Sequence, residues 1–165
     1  MNRLLLVAVS VSALAAFAAA ADTLPDKFYG KFSLDHSENF DEYLTAMGYG
    51  WFTRKLIVFA TFEKVFKKGE NGKFDYDNLT SKKDVHYKDV ALGTEFTGEG
   101  LDSKDHKVTF YLKDGKLYEK HVPVDKSGEA KDELYEYYFD NEFLVVRMGA
   151  PNGVVGKRFY KRVTA

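Results

Sequence analysis

Cysteine is absent from this chain of 165 residues. That excludes disulfides, a thiol nucleophile and any cysteine-ligated metal site. An excess of one charge is also missing: 24 Lys and Arg face 25 Asp and Glu, a balance that gives no reason to expect nucleic acid or a strongly acidic partner. Only one long apolar run occurs, at the extreme N-terminus. No internal repeat, low-complexity tract or linker divides the remainder. Catalytic signatures are lacking too, since there is no Gly-x-Ser-x-Gly, no phosphate loop and no calcium loop; the acidic stretch FDYDN, residues 74 to 78, lacks the later ligands of the last. The four histidines, His36, His86, His106 and His121, are scattered without the helix or hairpin spacing that holds a metal. The expectation is a chain that is not an enzyme and needs no cofactor.

The apolar run itself is informative. MNRLLLVAVSVSALAAFAAAAD begins with a basic residue, Arg3, continues apolar and ends in small residues before Asp22. This is the pattern of a secretory signal peptide covering residues 1–21. The stretch is short, is followed by no basic stop and has no second span after it, which argues against a membrane anchor. What remains, residues 22–165, is about 144 residues long, the size of one domain with a sizeable core. Losing Arg3 leaves 23 cationic against 25 acidic residues. In a secreted chain, Asn78-Leu79-Thr80 is a candidate glycosylation sequon.

Periodicity changes once along the mature chain. A strand is expected from about Phe28 to Asp35, and then Phe40, Tyr43, Leu44 and Met47 fall at the i, i+3, i+4, i+7 spacing of an amphipathic helix. Ser37 or Asn39 is placed to cap it, with Asp41 and Glu42 favourable in its first turn. Gly48 to Gly50 interrupt the pattern, and WFTRKLIVF from Trp51 reads as a second short helix. Everything later alternates in short runs separated by turn residues, giving about ten strands in all. Closing such an antiparallel sheet into a barrel removes its edges, and ten strands enclose more space than side chains fill. The predicted architecture is all-β: a ten-stranded antiparallel up-and-down barrel around a cavity, with a helix-turn-helix lid after the first strand.

GKRFYKRV, residues 156 to 163, has no apolar face: Arg158, Tyr160 and Arg162 alternate with Lys157, Phe159 and Lys161. Either side brings a cation inward, and an unpaired buried cation costs several kcal/mol.

Specific residues connect that strand to a known group. Gly30, Phe32, Leu34, Asn39, Phe40 and Asp41 match the opening of the intracellular lipid-binding proteins, Leu92 to Gly100 resembles their Leu-Gly-x-Glu-Phe stretch, and KVTFYLKDGKLYEKH fits the hairpin that follows. Arg158-Phe159-Tyr160 resembles their closing Arg-x-Tyr. The chain therefore resembles the fatty-acid-binding protein family along its mature length. With a signal peptide and longer loops near residues 125–132 and 149–153, it is most similar to the secreted nematode members.

The resemblance implies that Arg158 and Tyr160 point inward and hold a long-chain fatty acid by its carboxylate. A guanidinium binds a carboxylate bidentately and the phenol adds a donor. At about 0.8 kcal/mol per buried methylene, a tail of about 15 gains roughly 12 kcal/mol before ordering costs. Tail burial thus dominates affinity and the head pair sets orientation.

The family often carries a second inward Arg on the strand matching residues 133–139. With Asp140-Asn141 as the turn, Tyr138 pairs with Phe143 and Glu136 with Val145, the second Arg falls at Glu136, and Arg147 lies diagonally across from it. One expectation is an internal Glu136–Arg147 pair at the ligand head group, with Arg147 contributing to that site. The alternative register face turns Tyr135, Tyr137, Leu144 and Val146 inward, and it is the more apolar.

By the same resemblance, Phe40, Tyr43, Leu44, Met47, Tyr49, Trp51, Thr53 and Ile57 are candidates for the tail or portal. The turns near Lys82, Lys83 and Leu101 complete the entrance, where Arg54, Lys55, Lys82 and Lys83 either meet an anionic membrane transiently or form a solvated rim. A monomeric extracellular fatty-acid carrier is expected. The alternatives are a secreted interaction or antigen protein acting through its extended loops, and a retinoid carrier; Arg158 favours an acid, which retinoic acid also satisfies.

Overall fold

The structure, a computed structural model, describes residues 23–127 and 131–164. The signal-peptide reading of residues 1–21 lies outside the described residues, as does the centre of the loop at residues 125–132. A 3-10 turn, Asp26–Phe28, leads into β1 (Gly30–Glu38), which starts two residues later than the alternation suggested. Helices α1 (Phe40–Ala46) and α2 (Trp51–Phe59) follow. Then come β2 (Phe62–Lys68), β3 (Phe74–Thr80), β4 (Val85–Val90), β5 (Phe96–Glu99), β6 (Asp105–Lys113), β7 (Lys116–Pro123), β8 (Glu133–Asp140), β9 (Phe143–Gly149) and β10 (Val155–Arg162).

All pairings are antiparallel, in the order β4-β3-β2-β1-β10-β9-β8-β7-β6-β5. Consecutive strands are neighbours, and the first strand closes on the last. Only β4 and β5 lack a shared ladder, and side chains bridge them instead. The Tyr87 hydroxyl donates to the Glu99 carbonyl at 3.0 Å, and its ring lies 5.1 Å from that of Phe96. The result is a nearly closed ten-stranded barrel with two helices over one end, as the alternation and the helical stripe predict.

Two details fix the lid. Asn39 occupies the N-cap of α1 in the left-handed region (φ 51°), but its side chain makes no cap bond. It donates from Nδ2 to the Val155 carbonyl at 2.7 Å, tying the helix to the start of β10. Gly156 completes that contact, because a Cβ there would lie 2.8 Å from the Cβ of Tyr43. At the other end of β10, Arg162 folds over Phe32 and donates to the carbonyls of Tyr29 and Lys27 at 2.6 and 2.7 Å.

The β8–β9 hairpin corrects the expected register. Its turn is Asn141-Glu142, with Asn141 at φ 51°, so Tyr138 pairs with Val145 and Glu136 with Arg147 directly. A shift of two residues keeps each side chain on its face. The apolar face turns inward, burying Tyr137, Leu144, Val146 and Met148, because that leaves the two charges in water.

Candidate functional site

The barrel encloses a cavity of about 400 Å³, within the range that holds a small organic ligand. Arg158 and Tyr160 line it from β10, 4 % and 1 % exposed. The Arg158 guanidinium lies over the rings of Phe62 of β2, at 3.9 Å, and Phe40 of α1, at 4.3 Å. Among the described residues no carboxylate lies within ion-pairing distance of it, and its Nε has no hydrogen-bond partner. Burial draws its pKa down, with Tyr160 and Tyr135 acting the other way; a guanidinium remains charged throughout the physiological range. The two ring faces offset part of its desolvation but leave its in-plane donors free for an anion.

A second polar group crosses the cavity. Lys64 on β2 donates from Nζ to the Tyr76 hydroxyl at 2.7 Å, which lies 3.1 Å from the Tyr137 hydroxyl. Tyr137 donates in turn to Glu119 on β7, whose other oxygen is 2.7 Å from His121 Nε2. Burial alone would raise the Glu119 pKa, but His121, Lys64 and Tyr137 outweigh it and hold the carboxyl below its ordinary value. Burial pushes Lys64 down to about 8, against the attraction of Glu119 and with the repulsion of Arg158. Tyr76 and Tyr137 are raised by burial and by Glu119, so both stay protonated donors.

Lys64, Glu119, His121 and Tyr76 were not among the sequence candidates for the site, and Tyr137 entered only through the alternative inward face of its strand. Their signal was present: Phe62, Lys64 and Phe66 alternate on one face, as do Leu117, Glu119 and His121. Polar residues on an otherwise apolar face mark a strand that looks into a wet or liganded space.

The other candidates divide. Phe40, Tyr43, Leu44, Tyr49, Thr53 and Ile57 line the cavity. Met47 is buried in the core without lining it, and Trp51 is 65 % exposed on α2. Glu136 and Arg147 do meet, at 3.5 Å, but on the outer surface, where Lys116 also binds Glu136; neither lines the cavity. The internal pair is therefore corrected to an external one; on β8 Tyr135 lines the cavity, while Tyr137 is buried in the core. Asn78 of the candidate sequon is half-buried and lines the cavity, with its Oδ1 buried. At the entrance, Arg54 pairs with Asp41 at 3.2 Å and donates to the Tyr49 carbonyl at 3.0 Å, while Lys83 binds Glu99 and Ser103. Lys55 is half-buried and Lys82 exposed. Among the described residues no His, Cys, Asp and Glu group could hold a metal ion.

No family model matches the chain. Individual relatives do. Fatty acid-binding protein homolog 1 of Caenorhabditis elegans is 69% identical over 147 residues, covering 88% of this chain and 91% of that protein. The fatty acid-binding protein homolog of Ascaris suum is 50% identical over 146 residues, 86% of this chain and 88% of the relative. Among solved structures, As-p18, described as an extracellular fatty acid binding protein, superimposes with a TM-score of 0.80 at 49% identity, covering 86% of this chain and all of that one.

Proposed function

This chain belongs to the fatty-acid-binding protein family, and from that premise we propose that it is an extracellular carrier that reversibly holds one long-chain fatty acid in the barrel, with the carboxylate on Arg158 and Tyr160. Membership makes it a fatty-acid-binding protein and not an enzyme. The observation that carries the head-group reading is Arg158 itself: a buried cation, packed against two aromatic rings, with an unpartnered Nε and no anion beside it among the described residues. A bound carboxylate supplies the missing charge, and Tyr160 lies two residues on along the same inward face of β10. The apolar remainder, from Leu44 and Ile57 to Val146 and Met148, suits an aliphatic tail. Extracellular placement is supported by the signal-peptide pattern of residues 1–21 and by the description of As-p18.

Transient membrane contact is part of the proposal, but on aromatic rather than cationic grounds. Trp51, Phe52 and Phe59 of α2 are 65 %, 69 % and 82 % exposed, and such rings favour the bilayer interface. Arg54 and Lys83 are already engaged within the protein. No described helix is long and apolar enough to cross a membrane.

The test is displacement of a fluorescent fatty acid from residues 22–165 by oleate and by retinol, repeated on Arg158→Gln. Competition by oleate, weakened by the substitution, is the expected result. Displacement by retinol alone would contradict the fatty-acid reading, and no binding would turn attention to the long loops and a protein partner.

A further inference from the structure

Three buried side-chain atoms lack a hydrogen-bond partner among the described residues: Arg158 Nε, Asn78 Oδ1 and His106 Nδ1. All three side chains line the same cavity. Arg158 is a donor and is accounted for by a carboxylate. The other two are of the opposite kind. His106 Nε2 lies 3.0 and 3.1 Å from the two carboxylate oxygens of Asp102. An ionised carboxylate only accepts, so Nε2 bears a hydrogen, and in the Nε2–H tautomer Nδ1 is a bare acceptor. Asn78 Oδ1 is an acceptor as well.

The pair stands in a built arrangement. Asp102 is itself fixed by the Lys104 backbone amide at 3.0 Å, and Gly100 leaves the room: a Cβ there would lie 2.9 Å from His106 Nε2 and from Asp102 Oδ1. Asn78 on β3 pairs with Val85 of β4, and His106 on β6 pairs with Gly98 of β5. The two acceptors thus flank the β4–β5 gap from either side, each one strand in. His121 extends the polar patch, its ring 5.5 Å from that of His106. An unsubstituted alkyl tail offers none of these groups a hydrogen. A hydroxyl group does.

We propose that the cavity selects a hydroxy fatty acid, an acyl chain with a hydroxyl along its tail, which donates to His106 Nδ1, with Asn78 Oδ1 a separate acceptor across the β4–β5 gap. The inference rests on the fatty-acid reading and narrows its ligand class. Elsewhere in an apolar cavity a tail hydroxyl weakens binding, because it loses its water without gaining a partner; here the site provides that partner.

Stearic acid and a positional series of monohydroxystearic acids, titrated against the same fluorescent probe, separate these cases. The expected result is one position binding about fivefold or more tighter than stearate, with the ratio collapsing to about one in His106→Leu. Because that variant can misfold, histidine-labelled wild-type protein supplies a second readout. The His106 Nδ1 resonance in 15N NMR moves when the preferred hydroxy acid binds and stays in place with stearate. Stearate binding as tightly as, or more tightly than, every hydroxy acid overturns the inference and leaves the carrier reading intact. An Nδ1 resonance indifferent to the hydroxyl also overturns it. Failure of stearate and hydroxystearates alike removes the carrier reading, and the inference with it.

Discussion

Arg158 and Glu119 are buried in one cavity with opposite charges, and their surroundings differ in a way that separates a ligand site from a structural one. Glu119 is saturated: His121 bonds one oxygen, Tyr137 the other, and Lys64 completes the chain through Tyr76. Arg158 has two aromatic rings packed on its guanidinium and, among the described residues, no anion. Burying either charge is expensive, and only Glu119 recovers the cost from the protein. On the proposed reading, Arg158 recovers it from cargo. Removing Glu119 should therefore damage the empty barrel, and removing Arg158 should damage binding.

The largest effect is expected from Glu119→Leu. It strands the Tyr137 hydroxyl and His121 and leaves Lys64 without a countercharge, lowering stability by on the order of 3 kcal/mol. Urea unfolding of the ligand-free protein measures this. Next comes Arg158→Gln, which removes charge-assisted bonds to the carboxylate and weakens oleate binding about tenfold to a hundredfold. The same unfolding assay should find its empty barrel no less stable than the wild type. A loss of stability matching that of Glu119→Leu would erase the distinction between the two sites.

Lys64 sharpens the comparison through pH. Its folded pKa, about 8, lies below that of an unfolded lysine. Between those values the unfolded chain holds the extra proton, so ligand-free stability rises with pH across that window. A bound carboxylate reverses the preference by drawing a proton onto Lys64, so affinity falls as pH climbs past about 8. Calorimetric titration over that range should detect both slopes, and Lys64→Met should lose them. The smallest effect is expected outside the barrel. Arg147→Gln breaks a partly exposed pair with Glu136, worth less than about 1 kcal/mol, and should leave oleate affinity unchanged in the displacement assay.

The fold was legible in the sequence because its signals are local. Turn residues between alternating runs located the strands, and Phe40, Tyr43, Leu44 and Met47 carried the helical stripe. The inward placement of Arg158 and Tyr160 was legible through the closing Arg-x-Tyr and the strand's lack of an apolar face. The β8–β9 hairpin was harder, since the turn fell one residue later than Asp140-Asn141 and pairing moved by two. The face that turns inward was decided by burial of aromatic surface, which outweighs any gain from hiding the Glu136–Arg147 pair. The Lys64-to-His121 chain joins β2, β3, β8 and β7, strands far apart in sequence. Its members were visible one at a time as polar residues on apolar faces, and only barrel closure brings them together.

The central claim, that Arg158 holds the cargo by its charge, is tested most directly by 13C NMR of carboxyl-labelled oleate bound to the wild type and to Arg158→Gln. The account predicts a wild-type carboxyl signal that stays ionised well below the pH at which the free acid titrates, and a return towards ordinary titration in the variant. A carboxyl signal that titrates identically in both proteins would contradict it and move the head group away from Arg158.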